Sequence, residues 1–352
     1  MAGSVRVKLT RLPTRFKYCS ATGERVFKNN CVKNFAAICI LAMVTACSEQ
    51  QAASPDRQAA FPEQDIKIII PFSPGGGFDS YIRALVPVLE KHLGGKVNVL
   101  PINTPGAGGR RGAIETFRAT PDGYTIGVFN MPGALIPQLT EDSVGYDLEK
   151  LTWLATFGND PYAYVVNKNS PLMSFADVQA QKQPIMYGAT GPSSTSYVAT
   201  MIMNEMLGIP YEMVTGYTGS SEYTVGVMRG DVVAALVSLS TARPYIKSGD
   251  VRPLAMIGVK SEDPAIADAD SLGKPELGKL NVVRMLAGPP GMPADLKVIF
   301  EKAILAAMAD PEFTKWLEQT GNDAQPAGAD TTAAAVTELI AFYKNFMHVL
   351  KQ

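Results

Sequence analysis

Four times in this 352-residue chain a short apolar run ends in a glycine-rich loop that opens onto a segment with helical spacing. The first is Ile66–Phe72, leading into Ser73-Pro74-Gly75-Gly76-Gly77-Phe78-Asp79. The second is Lys96–Leu100, followed by the loop Asn103–Gly109 with Pro105-Gly106-Ala107-Gly108-Gly109. Pro184–Ala189 leads into Thr190–Ser196, and the run Tyr211–Thr215 into Thr215–Ser221. A strand that must cross back through a helix to a parallel neighbour produces this alternation. The fold it implies is an open α/β sheet with ligands at the carboxyl ends of the strands.

The intervening pattern fits. Ile82, Leu85, Val86, Leu89 and Leu93 recur at helical spacing until Gly94-Gly95, with a kink expected at Pro87. Pro121-Asp122-Gly123 reads as a turn before a strand at Tyr124–Phe129. Further strands are expected at Tyr162–Val166, Val232–Leu236, Leu254–Val259 and Val282–Ala287. Helices are expected at Ser174–Gln181, up to Leu207, at Ser220–Arg229, and over most of the chain after Pro293.

Glycines let backbone N–H groups approach a ligand, and a helix N-terminus adds partial positive charge, so each loop favours an anion. One such loop is equally well a bare turn: no Walker lysine is present, and Gly106–Arg111 lacks the last glycine of a dinucleotide fingerprint. Two loops in each half of the body make a better case, that of a carboxylate clamp. The candidate ligand residues are Phe72, Ser73, Pro74, Gly75, Gly76, Gly77 and Asp79, then Gly106, Ala107 and Gly108. The second half adds Thr190, Gly191, Ser193, Ser194 and Thr195, with Gly216, Tyr217 and Thr218. Gly76 is expected where a side chain would face the ligand and strain the backbone. Asp79 is expected to cap its helix. Phe72, Phe78 and Tyr217 suit either pocket walls or packing.

The chemistry missing from these loops is as informative. All four cysteines (Cys19, Cys31, Cys39, Cys47) precede residue 48, and the histidines are His92 and His348. That argues against a thiolate nucleophile, a Cys/His zinc site or a histidine triad in the body, and no metal, cofactor or catalytic residue is assigned. Up to residue 46 there are eight basic residues against one acid; the chain's formal −1 then leaves −8 on the rest. A partner nucleic acid is thereby disfavoured.

The first 47 residues read as an address. Phe35–Ala46 is a twelve-residue apolar run behind Lys28 and Lys33, too short to span a bilayer and suited to a secretory signal. It ends in Val44-Thr45-Ala46-Cys47, which resembles a lipobox, so Cys47 is expected to be lipidated and to become the mature N-terminus. The stretch before Lys28 is long for a signal, and the true start is expected further downstream. Residues 48–62 read as a flexible tether.

Six segments in register resemble one family: IIIPFSPGGGFDSYIRAL, INTPGAGGRRGAIETFRATPDGYTIGVF, YGATGPSSTSYVATMIMNEMLGI, VTGYTGSSEYTVGVMRGDVVAAL, YIKSGDVRPLAMIG and AGPPGMPADL. These resemble the tripartite tricarboxylate transporter substrate receptors, the Bug or TctC-like proteins. The resemblance implies a periplasmic binding-protein fold of type II: two α/β lobes, residues 63–160 with 289–352 and residues 161–288, closing on a small carboxylate. It implies a grip by backbone amides, hydroxyls and water without a charged side chain. It further implies delivery of a di- or tricarboxylate, aromatic acid or acidic amino acid to transporter membrane subunits, from a monomeric receptor in the periplasm, here lipid-anchored. Val214–Gly219 and Tyr197-Val198 depart from the usual family residues, which leaves the ligand open. Two alternatives remain: an α/β enzyme binding a phosphate or acyl group, and a receptor that signals to a membrane sensor.

Overall fold

Strand β1 (Ile66–Ile70) organises the first half of the molecule. Its isoleucines suit a strand covered on both faces, and Ile66, Ile68, Ile69 and Ile70 are buried. In the computed structural model, which describes residues 61–192, 194–322 and 324–351, β1 pairs in parallel with β2 (Val99–Asn103) and β3 (Thr125–Met131). The signal segment, Cys47, nearly all of the tether and Ser193 lie outside the described residues. Helices α1 (Gly77–His92) and α2 (Arg110–Phe117) make the crossovers. Helix α1 buries Tyr81, Ile82, Leu85, Val86, Val88 and Leu89; each such side chain contributes roughly 1.5–3 kcal/mol. It runs unbroken through Pro87, which lies on the solvent face where water can take the carbonyl that proline frees.

The second half repeats this wiring. Strand β5 (Ile185–Gly188) lies between β6 (Tyr211–Val214) and β7 (Ala234–Ser238), all parallel. Helices α5 (Thr195–Leu207) and α6 (Ser220–Arg229) cross over. The local orders β2-β1-β3 and β6-β5-β7 therefore correspond.

Strand β4 (Thr152–Asn167) joins the halves. Its residues 152–161 pair antiparallel with β9 (Asn281–Gly288). Its residues 162–167 pair with β8 (Val251–Ile257), and 162–166 with β7. The sequence pointed only to Tyr162–Val166; Gly158 and Pro161 interrupt the pattern ahead of it. Register shifts at Trp153/Ala155 and Thr156/Gly158 let the ladder continue past the glycine. Strand β9 also pairs with β3, so residues 281–288, expected in the second lobe, hydrogen-bond in the first half.

Three short helices complete the first two thirds: α3 (Leu135–Thr140), α4 (Phe175–Gln179) and α7 (Leu239–Lys247). The sequence reading missed α3 and α7. Helix α4 carries a full capping box between Ser174 and Asp177. The C-terminal segment is helical as expected: α8 (Ala294–Met308), α9 (Pro311–Thr320), α10 (Ala329–Lys344) and α11 (Met347–Leu350). Helix α10 adds Val336, Ile340 and Tyr343 to an apolar cluster shared by Phe129 and Trp153 of one half and Tyr164 and Tyr187 of the other. Among the described residues no helix is long and apolar enough to cross a membrane, and no cluster of His, Cys, Asp or Glu could hold a metal ion.

Candidate functional site

A cleft of about 380 Å³ opens between the halves. Its first wall is Phe72, Gly76, Gly77 and Phe78, where β1 passes into α1, with Asn130 at the end of β3. Its opposite wall is Thr190, Ser194, Thr195 and Ser196, where β5 passes into α5. Ser220, at the start of α6, and Ser238, the residue preceding α7, reach the same space. Four helix N-termini thus border one cleft, each with backbone N–H groups that lack an intrahelical acceptor.

The local chemistry explains how each loop is held. Gly75 has a φ of +79°, a left-handed conformation that favours glycine, whereas Gly76 is extended at −76°. A side chain at Gly76 would meet only the Ser73 carbonyl at 3.5 Å, so the expected backbone strain belongs to Gly75. Asp79 lies beneath the loop and not in the cleft. Its carboxylate accepts from the Gly75 N–H at 2.8 Å, from Arg83 Nε at 2.9 Å and from Asn103 Nδ2 at 2.8 Å. Burial alone would raise its pKa, but these three donors outweigh burial and hold the carboxyl below its usual value. Asp79 therefore secures the loop, although it does not cap the helix through the N-cap residue. Across the cleft, Ser194 caps α5 by accepting from the Tyr197 N–H at 3.3 Å.

The floor is phenolic. Burial drives the Tyr162 hydroxyl well above its ordinary pKa, with Thr195 opposing, and raises Tyr223 to about 12. Both remain protonated at neutral pH and keep a proton to donate.

The remaining predicted residues lie elsewhere. Ser73, Pro74 and Gly75 form the exposed outer part of the first loop. Ala107 and Gly108 border a separate space of about 10 Å³ with Arg110 and Tyr146, and Gly106 also lies outside the cleft lining. Gly191 does not line the cleft either. Gly216 and Thr218 are exposed; the Thr218 N–H and hydroxyl both donate to Glu222 Oε2, at 2.6 and 2.7 Å. The Tyr217 ring packs against Tyr223 at 6.3 Å between centroids, on the side of α6. Arg110 pairs with Glu141, His92 with Asp310 and His348 with Glu205, none of them a cleft residue.

Two charged residues in the cleft escaped the sequence reading: Arg284 on β9 and Asp160 on β4. Arg284 Nη2 donates to Asp160 Oδ2 at 3.2 Å, with the two side chains 8% and 7% exposed. Asp160 also accepts from the Ser240 N–H at 3.1 Å and the Ser240 hydroxyl at 2.5 Å. The guanidinium carbon lies 5.1 Å from the Phe78 ring centroid and 5.7 Å from that of Tyr81. The resemblance implied a grip without charged side chains; this wall of the cleft carries two of them. The available signal was a lone arginine within the apolar run Val282–Ala287.

Residues 82–348 match the family model of the tripartite tricarboxylate transporter family receptors. The chain belongs to this family. The receptor is 26% identical over 296 residues to BugT of Bordetella pertussis, covering 82% of this chain and 90% of that protein. It shares its fold with a TctC solute-binding protein from Polaromonas, solved without ligand: TM-score 0.69 and 20% identity over 82% of this chain and 99% of that one. It is similar too to MatC of Rhodopseudomonas palustris, solved with bound malate: TM-score 0.65 and 21% identity over 82% and 100% of the two chains. The receptor fold is thus the two-lobed α/β one expected from sequence, and the family is one of solute receptors, not of enzymes.

Proposed function

We propose that this receptor closes its two halves on a small carboxylate and delivers it to the membrane subunits of a tripartite transporter. The carrying observation is the convergence of four helix N-termini and a row of hydroxyls (Ser194, Thr195, Ser196, Ser220, Ser238) on one cleft. Such a site holds an anion by preorganised dipoles. The malate bound to MatC supports a carboxylate as that anion. The ligand residues are then Gly76, Gly77, Thr190, Ser194 and Thr195, with Ser193 beside them in sequence. The lobes are best divided at the β4 crossover near residue 161 and on the return before β9, near residue 280. The receptor works as a monomer outside the cytoplasmic membrane, held there by a lipid on Cys47.

A thermal-shift screen of di- and tricarboxylates, aromatic acids and acidic amino acids tests the ligand class. Scattering with the best hit tests closure, which should reduce the radius of gyration. A protein stabilised by none of these acids, or one whose scattering is unchanged at proven saturation, would contradict the reading. The anchor has its own test: Cys47→Ser should leave the membrane fraction or remain unprocessed.

A further inference from the structure

We propose that Arg284 determines specificity in this cleft by binding a second acidic group of the ligand, so that the receptor selects dianionic over monoanionic carboxylates. The inference rests on the carboxylate-receptor reading and narrows it. Arg284 is more than nine-tenths buried, lines the cleft, and is fixed on three sides by Phe78, Tyr81 and Asp160. Its Nη2 is used by Asp160, yet its Nε–H is buried without an acceptor. Directly opposite in the β3–β9 ladder stands Asn130, which also lines the cleft and whose Oδ1 is likewise buried and unpartnered. Directly opposed residues of an antiparallel pair share one face of the sheet.

Buried polar atoms without partners are costly, so two of them on opposed residues that line one ligand space mark where a polar group belongs. The guanidinium supplies charge and a directed N–H, and the Asn130 amide can turn either end to the same group. Asp160 already holds two donors from Ser240 as well as Arg284, so it serves to fix the guanidinium and balance its charge. One carboxylate would then lie at the helix N-termini and the other at Arg284.

Calorimetry with three chain-matched pairs decides the matter: succinate and butyrate, glutarate and pentanoate, adipate and hexanoate. The protein should prefer at least one diacid to its monoacid by about tenfold or more, the worth of a charge-assisted hydrogen bond. The double variant Arg284→Met/Asp160→Asn removes both charges, leaves no buried ion unpaired, and should lose the preference, read as the ratio of diacid to monoacid affinity. Arg284→Lys retains the charge without the Nε–H and should show a reduced preference; it carries the comparison if the double variant does not fold. Monoacids bound as tightly as diacids, or a folded double variant that keeps the preference, would overturn the role of Arg284 alone. Binding of none of the six acids would count against the diacid preference as well, while the receptor reading on which it rests is judged separately by the wider thermal-shift screen of di- and tricarboxylates, aromatic acids and acidic amino acids.

Discussion

The loops after β1 and β5 and those after β2 and β6 look alike in sequence, and the structure puts them to different uses. Each follows a short strand, contains glycine and opens a helix. The loops after β1 and β5 line the cleft with Gly76, Gly77, Thr190 and Ser194. The loops after β2 and β6 contribute nothing from Gly106–Gly108 or Gly216–Thr218. The reason is strand order. Strands β1 and β5 are flanked on both sides, whereas β2 and β6 are the two ends of the sheet path. A loop leaving an inner strand points at the seam between the halves; of the edge loops, the one after β6 reaches it only with Ser220 at the start of α6, and the one after β2 falls beside it. Sequence similarity of loops does not imply similarity of position.

The largest effect should come from the charged pair on the cleft side. Asp160→Ala leaves Arg284 buried and unpaired, which should cost about 3–5 kcal/mol in urea unfolding. At the edge loop, Glu222→Gln loosens only an exposed lock on Thr218 and should cost much less. Equal losses would erase the distinction between the two sides.

Next comes occlusion. A side chain at Gly77, which lines the cleft, would meet open space, so Gly77→Phe should fold normally yet weaken ligand binding by roughly a hundredfold. Thr215→Phe, in the exposed edge loop, should change affinity by less than about twofold. Calorimetry on both variants would break the comparison if the two behaved alike.

Helix caps separate the loops on a finer scale. Ser194→Ala removes the side-chain cap of α5 and should cost about 1 kcal/mol in thermal unfolding. The N-cap of α6 is Gly219, which has no side chain to lose, and Gly219→Ser should shift stability by only a few tenths of a kcal/mol.

Acid provides the mildest test. Asp79 under the inner loop and Glu222 under the edge loop both titrate below their usual values. For Asp79 burial works against three donors, and for Glu222 the Thr218 N–H leads. A carboxyl whose folded pKa is depressed stabilises the fold above its unfolded value, near pH 4, and that contribution fades as pH falls through the folded value. Asp79→Asn and Glu222→Gln should each flatten the acid limb of the stability curve. The pH dependence of ligand affinity should be altered by Asp79→Asn and not by Glu222→Gln, because the Asp79 carboxylate holds the Gly75 N–H.

Much of the fold was legible because it rests on local signals. The isoleucines of β1, the helical stripe from Ile82 to Leu89 and the short helix after Ser174 all took the expected form. Helix α3, helix α7 and the first half of β4 were missed for a common reason. Each contains a proline or glycine that local rules treat as a stop: Pro137, Pro244, Gly158 and Pro161. Tertiary pairing overrode those rules, most clearly where β9 holds β4 through two register shifts.

By itself, then, the sequence determined the alternation of strands and helices, the family and the anion-favouring character of the loops. All three depend on residue type and short-range spacing, which survive without coordinates. Only the tertiary structure decided which loops face the cleft, since that follows from strand order across long separations. It alone also brought Arg284 to Asp160, 124 residues apart in the chain, and left a guanidinium N–H buried beside the ligand space. Such a pairing has no local signature, because its physical cause is the closing of β9 onto β4.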